Sequence, residues 1–217
     1  MRRAARPGGV AAFDADGTLW RDDAGEAFLR HLVAIGWVCL PDGSDPYEAY
    51  ERAVERDKRT GYVYAAQLQD GLAQADVAAE AERFAQSWVP PRLVQSAAEL
   101  RDLCVDAGLR PVVVSASPSP IVRAAASLAR FGECAGIEVR VRGGRFTADV
   151  VEPVTYADGK VEAASRFGPL VVACGDSLTG DLALLSVARV SAVIAPRAGS
   201  PLADEARRRG WWILSAE

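Results

Sequence analysis

The sequence predicts an α/β protein, a parallel sheet interrupted by an inserted helical segment, and three observations carry that reading. Short β-branched runs ending in small or acidic residues alternate with helical patterns, as in sheets built from strand-helix-strand units. Asp16 and Ser115, which close the first two runs, stand 99 positions apart, far more than one crossover helix needs. The 217 residues, 50% hydrophobic and 25% charged, suit one large domain or one domain with a substantial insertion.

The strand candidates are Gly9–Phe13, Arg110–Val114, Gly136–Arg140, Leu170–Cys174 and Val190–Ala195, the last ending at Pro196. Trp211–Leu214 is a further candidate at an edge, with one tryptophan facing in and one out. Gly143-Gly144, inside alternating residues from Val139 to Val151, predicts a small hairpin. Ser119-Pro120 opens one helix; Ser200-Pro201, with Asp204 and Glu205 behind it, opens another that closes through Arg207-Arg208-Arg209 at Gly210.

Between the first two strands, helical patterns run near Glu26–Ile35, Tyr47–Thr60, Tyr62–Leu72 and Val77–Trp88. We assign residues 24–90 to a helical cap, and residues 1–23 with 91–217 to the core. Pro90-Pro91 marks the return, and Leu93–Ala107 is the helix feeding the second strand.

Composition removes several function classes. A net charge of −4 leaves no basic surplus to neutralise a phosphate backbone, so nucleic acid is not an expected partner. No apolar run reaches the roughly 18 to 20 residues that span a bilayer, and Met1–Gly9, with three arginines, lacks the apolar stretch of a signal peptide. A cytoplasmic location without membrane contact is expected. Four scattered cysteines contain no CxxC pair, which suggests free thiols. The single histidine, His31, lies in an apolar segment and reads as a packing or surface residue; histidine-based triads and metal sites are hard to build without more.

Chemistry is expected beyond the carboxyl ends of the strands, where open parallel sheets bind ligands. The first strand delivers Asp14-Ala-Asp16-Gly-Thr18-Leu-Trp20, the second Ser115-Ala116-Ser117, and the fourth Gly175-Asp176 followed by Asp181, with Lys160 opening the helix before it. Without a nearby histidine, a carboxylate is the natural nucleophile. Asp14 can attack phosphorus, and Asp16, two residues on, can protonate the departing alcohol and deprotonate the incoming water. Asp14, Asp16 and Asp176 would repel without countercharge, and an oxygen-rich cluster suits Mg²⁺. Lys160, the Ser115 hydroxyl and the Ala116 amide can take phosphate oxygens, while Thr18 fixes the turn that Gly17 permits. Singly, each of these aspartates also reads as a turn or capping residue, and Ser115 as a helix cap.

Asp-x-Asp-Gly-Thr at 14–18, Ser115, Lys160 and Gly-Asp-x4-Asp at 175–181, in that order, resemble the four motifs of the haloacid dehalogenase superfamily. The helical cap, Val-Val-Ser at 113–115 and the glycine hairpin before the lysine are most similar to the phosphoserine phosphatase branch, and Asp16 argues against the dehalogenase branch. The resemblance implies a Rossmann-like core with helices on both faces and Mg²⁺-dependent hydrolysis of a small, phosphoserine-like metabolite through an aspartyl phosphate. It makes Asp14 the nucleophile and Asp16 the acid/base, Thr18, Ser115, Ala116 and Lys160 phosphate-binding, and Asp14, Asp16 (through its carbonyl), Asp176 and Asp181 the metal set. Transfer to another acceptor and non-catalytic phosphate binding are the alternatives.

The chain departs from that branch at Ser115-Ala-Ser117-Pro, where Ser-Gly-Gly is usual, so Ser117 reaches the pocket floor. The acid that reads a substrate amine is expected shortly after the first motif, where Asp22, Asp23 and Glu26 all stand. The charged run Glu51–Arg59 reads as a solvated helix face, with Arg56, Lys58 or Arg59 over the pocket as the alternative. Trp20 reads equally as pocket wall and core.

Overall fold

A computed structural model describes residues 8–194 and 199–216. Seven strands form one sheet in the order β4-β3-β2-β1-β5-β6-β7: β1 (Val10–Phe13), β2 (Arg110–Pro118), β3 (Glu133–Arg142), β4 (Arg145–Val151), β5 (Leu170–Gly175), β6 (Val190–Ile194) and β7 (Trp212–Leu214). All neighbours run parallel except β3 and β4, the hairpin turned by Gly143-Gly144. The fold is α/β, as the alternation of strand and helix patterns predicts.

Two hydrophobic clusters sandwich the sheet, because alternate strand residues point to opposite faces. Ala11, Phe13 and Val113 pack on one side with Leu100, Cys104 and Ile121, from α5 (Gln95–Asp106) and α6 (Ser119–Leu128). Val10, Ala12, Val112 and Val114 pack on the other with Ala163, Leu184 and Leu202, from α7 (Asp158–Ser165), α8 (Leu182–Val187) and α9 (Pro201–Arg209). Helices therefore cover both faces, which is why the central strands are apolar throughout.

Between β1 and β2, four helices precede α5: α1 (Ala24–Ala34), α2 (Pro46–Arg56), α3 (Lys58–Gln67) and α4 (Gln74–Trp88). The helix expected from Tyr47 to Thr60 is divided at Asp57, whose extended backbone (φ −158°, ψ 117°) ends α2 while its carboxylate caps α3 through Thr60 N at 2.8 Å. Periodicity runs through this break because a capping aspartate costs no apolar position. His31 is a packing residue, half-buried between Phe28 and Phe84, with Nε2 2.5 Å from Glu80 Oε1 on α4.

Two strands, β2 and β3, extend well beyond their apolar runs. β2 continues through Ser115 to Pro118, and β3 starts at Glu133. At the far edge Trp211 packs against the second cluster and Trp212 is exposed. The expected end of the fifth run at Ala195-Pro196 and the arginines before Gly8 lie outside the described residues.

Candidate active site

The three central strands β2, β1 and β5 point their carboxyl ends at one cavity of about 230 Å³. Asp14 and Asp16 follow β1, Ala116–Pro118 end β2, Asp176 follows β5, and Lys160 and Asp181 come from the helices flanking β5. Parallel strands in register bring these residues together although up to 167 positions separate them in sequence.

Asp14, Asp176 and Asp181 each place a carboxylate oxygen within 4.8 Å of the others. Thr18 Oγ1 ties the first two, lying 3.1 Å from Asp14 Oδ2 and 3.2 Å from Asp176 Oδ1. Gly17 makes this approach possible: its φ is +79°, and a Cβ there would stand 2.2 Å from Asp176 Oδ2. Burial, then the Asp14 and Asp181 charges, push Asp176 up to about 8.

Lys160 is buried and donates to Asp14 Oδ1 and, at 2.6 Å, to Asp181 Oδ1. Burial disfavours its ammonium form, but the two carboxylates outweigh that and hold its pKa above the ordinary lysine value. The other Asp181 oxygen accepts the Asp176 and Ser177 amides at 3.1 and 2.9 Å, so Asp181 braces the Asp176 loop as well as the lysine. Lys160 arrives through a tight turn in which Ala157 has φ +50°. A Cβ at Gly159 would fall on the Val154 carbonyl, so only glycine allows the helix to start there.

Asp16 has its own set of donors. Oδ1 accepts Trp20 Nε1 at 2.8 Å and the Ala24 amide at 2.6 Å. Oδ2 accepts Ser117 Oγ at 2.7 Å and Ser115 Oγ at 3.2 Å. An indole and an amide can only donate, whereas a hydroxyl can also accept, so a proton on Asp16 is accommodated at Oδ2 and not at Oδ1.

The helical side of the cavity is acidic and aromatic. Asp23 caps α1 by accepting the Glu26 amide at 2.8 Å, and both acids line the cavity with Tyr50, Tyr62 and Tyr156. Burial, and after it the Asp16 charge, push Asp23 up to about 8. Asp22 turns outward to Arg92 at 3.2 Å, which separates it from the other two acids of that segment.

The donor set fits a hard divalent cation. Three converging carboxylates face one ammonium, every candidate ligand atom is oxygen, and no histidine or cysteine stands among them.

The haloacid dehalogenase-like hydrolase family model matches residues 11–186, which includes every one of these groups. The chain belongs to this family. No curated protein matches it. Among solved structures, a protein of unknown function from Bordetella pertussis Tohama I is similar over 98% of this chain and 100% of its own, at TM-score 0.80 and 22% identity. A phosphoserine phosphatase in its apo form is similar over 96% of this chain and 94% of its own, at TM-score 0.61 and 16% identity. A phospho-aspartyl intermediate analogue of phosphoserine phosphatase gives the same TM-score and identity over 98% and 95%. These likenesses establish the fold.

In this haloacid dehalogenase-like hydrolase, Asp14, Asp16, Asp23, Glu26, Ala116, Ser117, Lys160, Asp176 and Asp181 line one cavity. Thr18 and Ser115 are fully buried behind its wall and touch the carboxylates from the rear. Arg56, Lys58 and Arg59 do not line it; Arg59 pairs with Glu152 at 2.7 Å on the surface. Sequence reasoning missed the three tyrosines, whose scatter over two helices and a loop leaves no motif. It left Trp20 open, and the indole proves to be core with a polar duty, 1% exposed and bonded to Asp16.

Proposed function

We propose that this haloacid dehalogenase-like hydrolase is a Mg²⁺-dependent phosphomonoesterase acting on a small phosphorylated metabolite of phosphoserine-like size. The observation that carries the reading is the meeting of Asp14, Asp16, Lys160 and Asp176 on one small cavity. Asp14, Asp176 and the Asp16 carbonyl would hold the ion, with Asp181 supporting Asp176. A bound Mg²⁺ offsets the carboxylate charge and polarises the phosphoryl oxygens.

An Asp14 carboxylate oxygen attacks phosphorus, and the bond from phosphorus to the alcohol oxygen breaks. Asp16 Oδ2 delivers its proton to that oxygen, so the alcohol leaves neutral. Water then attacks the phosphorus of the aspartyl phosphate, Asp16 takes its proton, and Asp14 is released with inorganic phosphate. The donor-only groups on Oδ1 keep the exchangeable proton on Oδ2 in both halves of the cycle. Lys160 and the Ala116 amide take the remaining phosphate oxygens, and the buried Ser115 and Thr18 hold the two catalytic carboxylates in place. Residues 24–90 act as the cap that closes over the substrate and excludes water. Four cysteines without a disulfide suit a cytoplasmic enzyme.

Phosphate release from a panel of small phosphomonoesters, with and without Mg²⁺, tests the reading in the wild type and in Asp14→Asn. Release that needs Mg²⁺ and falls at least roughly 10³-fold in the variant is expected. A new ester formed in place of phosphate would mark a transferase, and binding without release a phosphate-binding module.

A further inference from the structure

Ser117 stands where the first cap helix meets the core, and it touches the proposed acid/base. Its side chain is buried, and Oγ donates to Asp16 Oδ2 at 2.7 Å. Both partners of Oδ1, the Trp20 indole and the Ala24 amide, come from the stretch just after the first motif. Ser117 belongs instead to β2, where the pairing of Pro118 with Ile137 on β3 steadies its backbone. A carboxylate gripped at one oxygen can still swing the other; gripped at both, from two separate elements, it keeps one plane.

Ser115 is a poor substitute for this contact. Its Oγ accepts the Ser117 amide at 3.1 Å and reaches Asp16 Oδ2 at 3.2 Å, beyond the roughly 2.5–3.0 Å usual for a hydroxyl donor. Room for the shorter bond comes from Gly25, the second residue of α1. A Cβ there would stand 2.4 Å from Ser117 Oγ and 2.8 Å from Ser117 Cβ, so a larger residue forces the hydroxyl aside. Gly25 is helical and has no positive φ, so the close approach of Ser117, and not backbone conformation, is what calls for glycine.

We infer that Ser117 is a positioning residue for the proton transfer: its hydroxyl sets the Asp16 carboxylate so that Oδ2 faces the alcohol oxygen, and Gly25 leaves the space it needs. The inference rests on the phosphomonoesterase reading and adds a residue to it. As the bond from phosphorus to the alcohol oxygen breaks, the Asp16 proton passes to that oxygen and Ser117 keeps its own. A misaligned acid hurts a basic alkoxide most, whereas a nitrophenolate departs without help.

The test is kcat/KM with Mg²⁺ for the wild type, Ser117→Ala and Gly25→Ala on ethyl, 2,2,2-trifluoroethyl and p-nitrophenyl phosphate, whose leaving groups fall in basicity in that order. This ratio reports steps up to departure of the alcohol, so slow breakdown of the aspartyl phosphate does not mask the effect. We expect both variants to lose about tenfold on the ethyl ester, less on the trifluoroethyl ester and least on the p-nitrophenyl ester. Losses equal across the three esters, as a purely structural role would give, or no loss in either variant, overturn the inference. Gly25→Ala retains the hydroxyl and decides the matter if Ser117→Ala does not fold. Turnover by the wild type with ungraded losses in the variants sinks this inference alone, whereas no release from any ester sinks the hydrolase reading and this inference with it.

Discussion

The indole Nε1 of Trp20 donates to Asp16 Oδ1 at 2.8 Å, although the ring itself belongs to the hydrophobic core. A residue four positions past the proposed acid/base thus fixes the carboxylate plane from behind, and the Ala24 amide at the start of α1 completes the grip. The first turn after β1 is therefore bound to the first helix that follows it. Trp20→Phe keeps the packing and removes one donor. We expect kcat to fall about tenfold with KM nearly unchanged, and stability to drop by about 1 kcal/mol. Steady-state kinetics beside a urea titration read both quantities, and an unchanged kcat would remove Trp20 from the positioning of Asp16.

Lys160 is the countercharge for two buried carboxylates, so its loss should be felt by the fold as well as by the chemistry. Replacing it with methionine leaves Asp14 and Asp181 without a cation, and a cost of about 3–5 kcal/mol is expected. Mg²⁺ should restore part of that stability by supplying positive charge to the same cluster. Urea melts of Lys160→Met with and without Mg²⁺ measure it; equal loss in both would show that the ion does not reach these carboxylates.

Gly17 and Asp176 share a boundary that no side chain can cross. Alanine at position 17 must adopt φ +79° and place a methyl 2.2 Å from Asp176 Oδ2, so Asp176 has to move. We expect wild-type protein to gain Tm on Mg²⁺ addition, by an amount equivalent to about 2.7 kcal/mol at a hundredfold excess over Kd. Gly17→Ala and Asp176→Asn should lose most of that gain, and a chelator should reverse it in the wild type. Calorimetric scans of the three proteins supply the comparison, and a full Mg²⁺ response in Asp176→Asn would exclude that residue as a ligand.

The C-terminal helix α9 offers a pH test away from the site. Hydrogen bonds from Arg208 and then Arg209 hold Glu205 down to about 2, below its ordinary value of 4.5. The unfolded chain therefore takes the proton first. The contribution of Glu205 is fully present above pH 4.5 and is lost as the pH falls toward about 2. Glu205→Gln should be less stable than wild type at neutral pH, with the difference shrinking through that window. A difference independent of pH would point to packing instead of charge.

Periodicity and punctuation made much of the architecture legible. The central strands needed no tertiary information, since apolar runs such as Val-Val-Val at 112–114 exist only where both sheet faces are covered. Helix starts at Ser119 and Pro201 follow from local stereochemistry. The break at Asp57 was hidden because the charged run Glu51–Arg59 passes through it with no glycine or proline to mark it. Of the three acids after the first motif, only the structure separates Asp22, turned to Arg92, from Asp23 and Glu26, which face the cavity.

By itself the sequence determined which residues meet at one cavity, because strand ends in a parallel sheet lie on one edge whatever loops join them. The tertiary structure decided what surrounds those residues. The grip of Trp20 on Asp16, the sharing of Lys160 between Asp14 and Asp181, and the convergence of Tyr50, Tyr62 and Tyr156 all depend on how separate elements pack. Local stereochemistry sets an element's identity, but contacts across many tens of residues are set by the packing of whole faces, and no short window of sequence contains them.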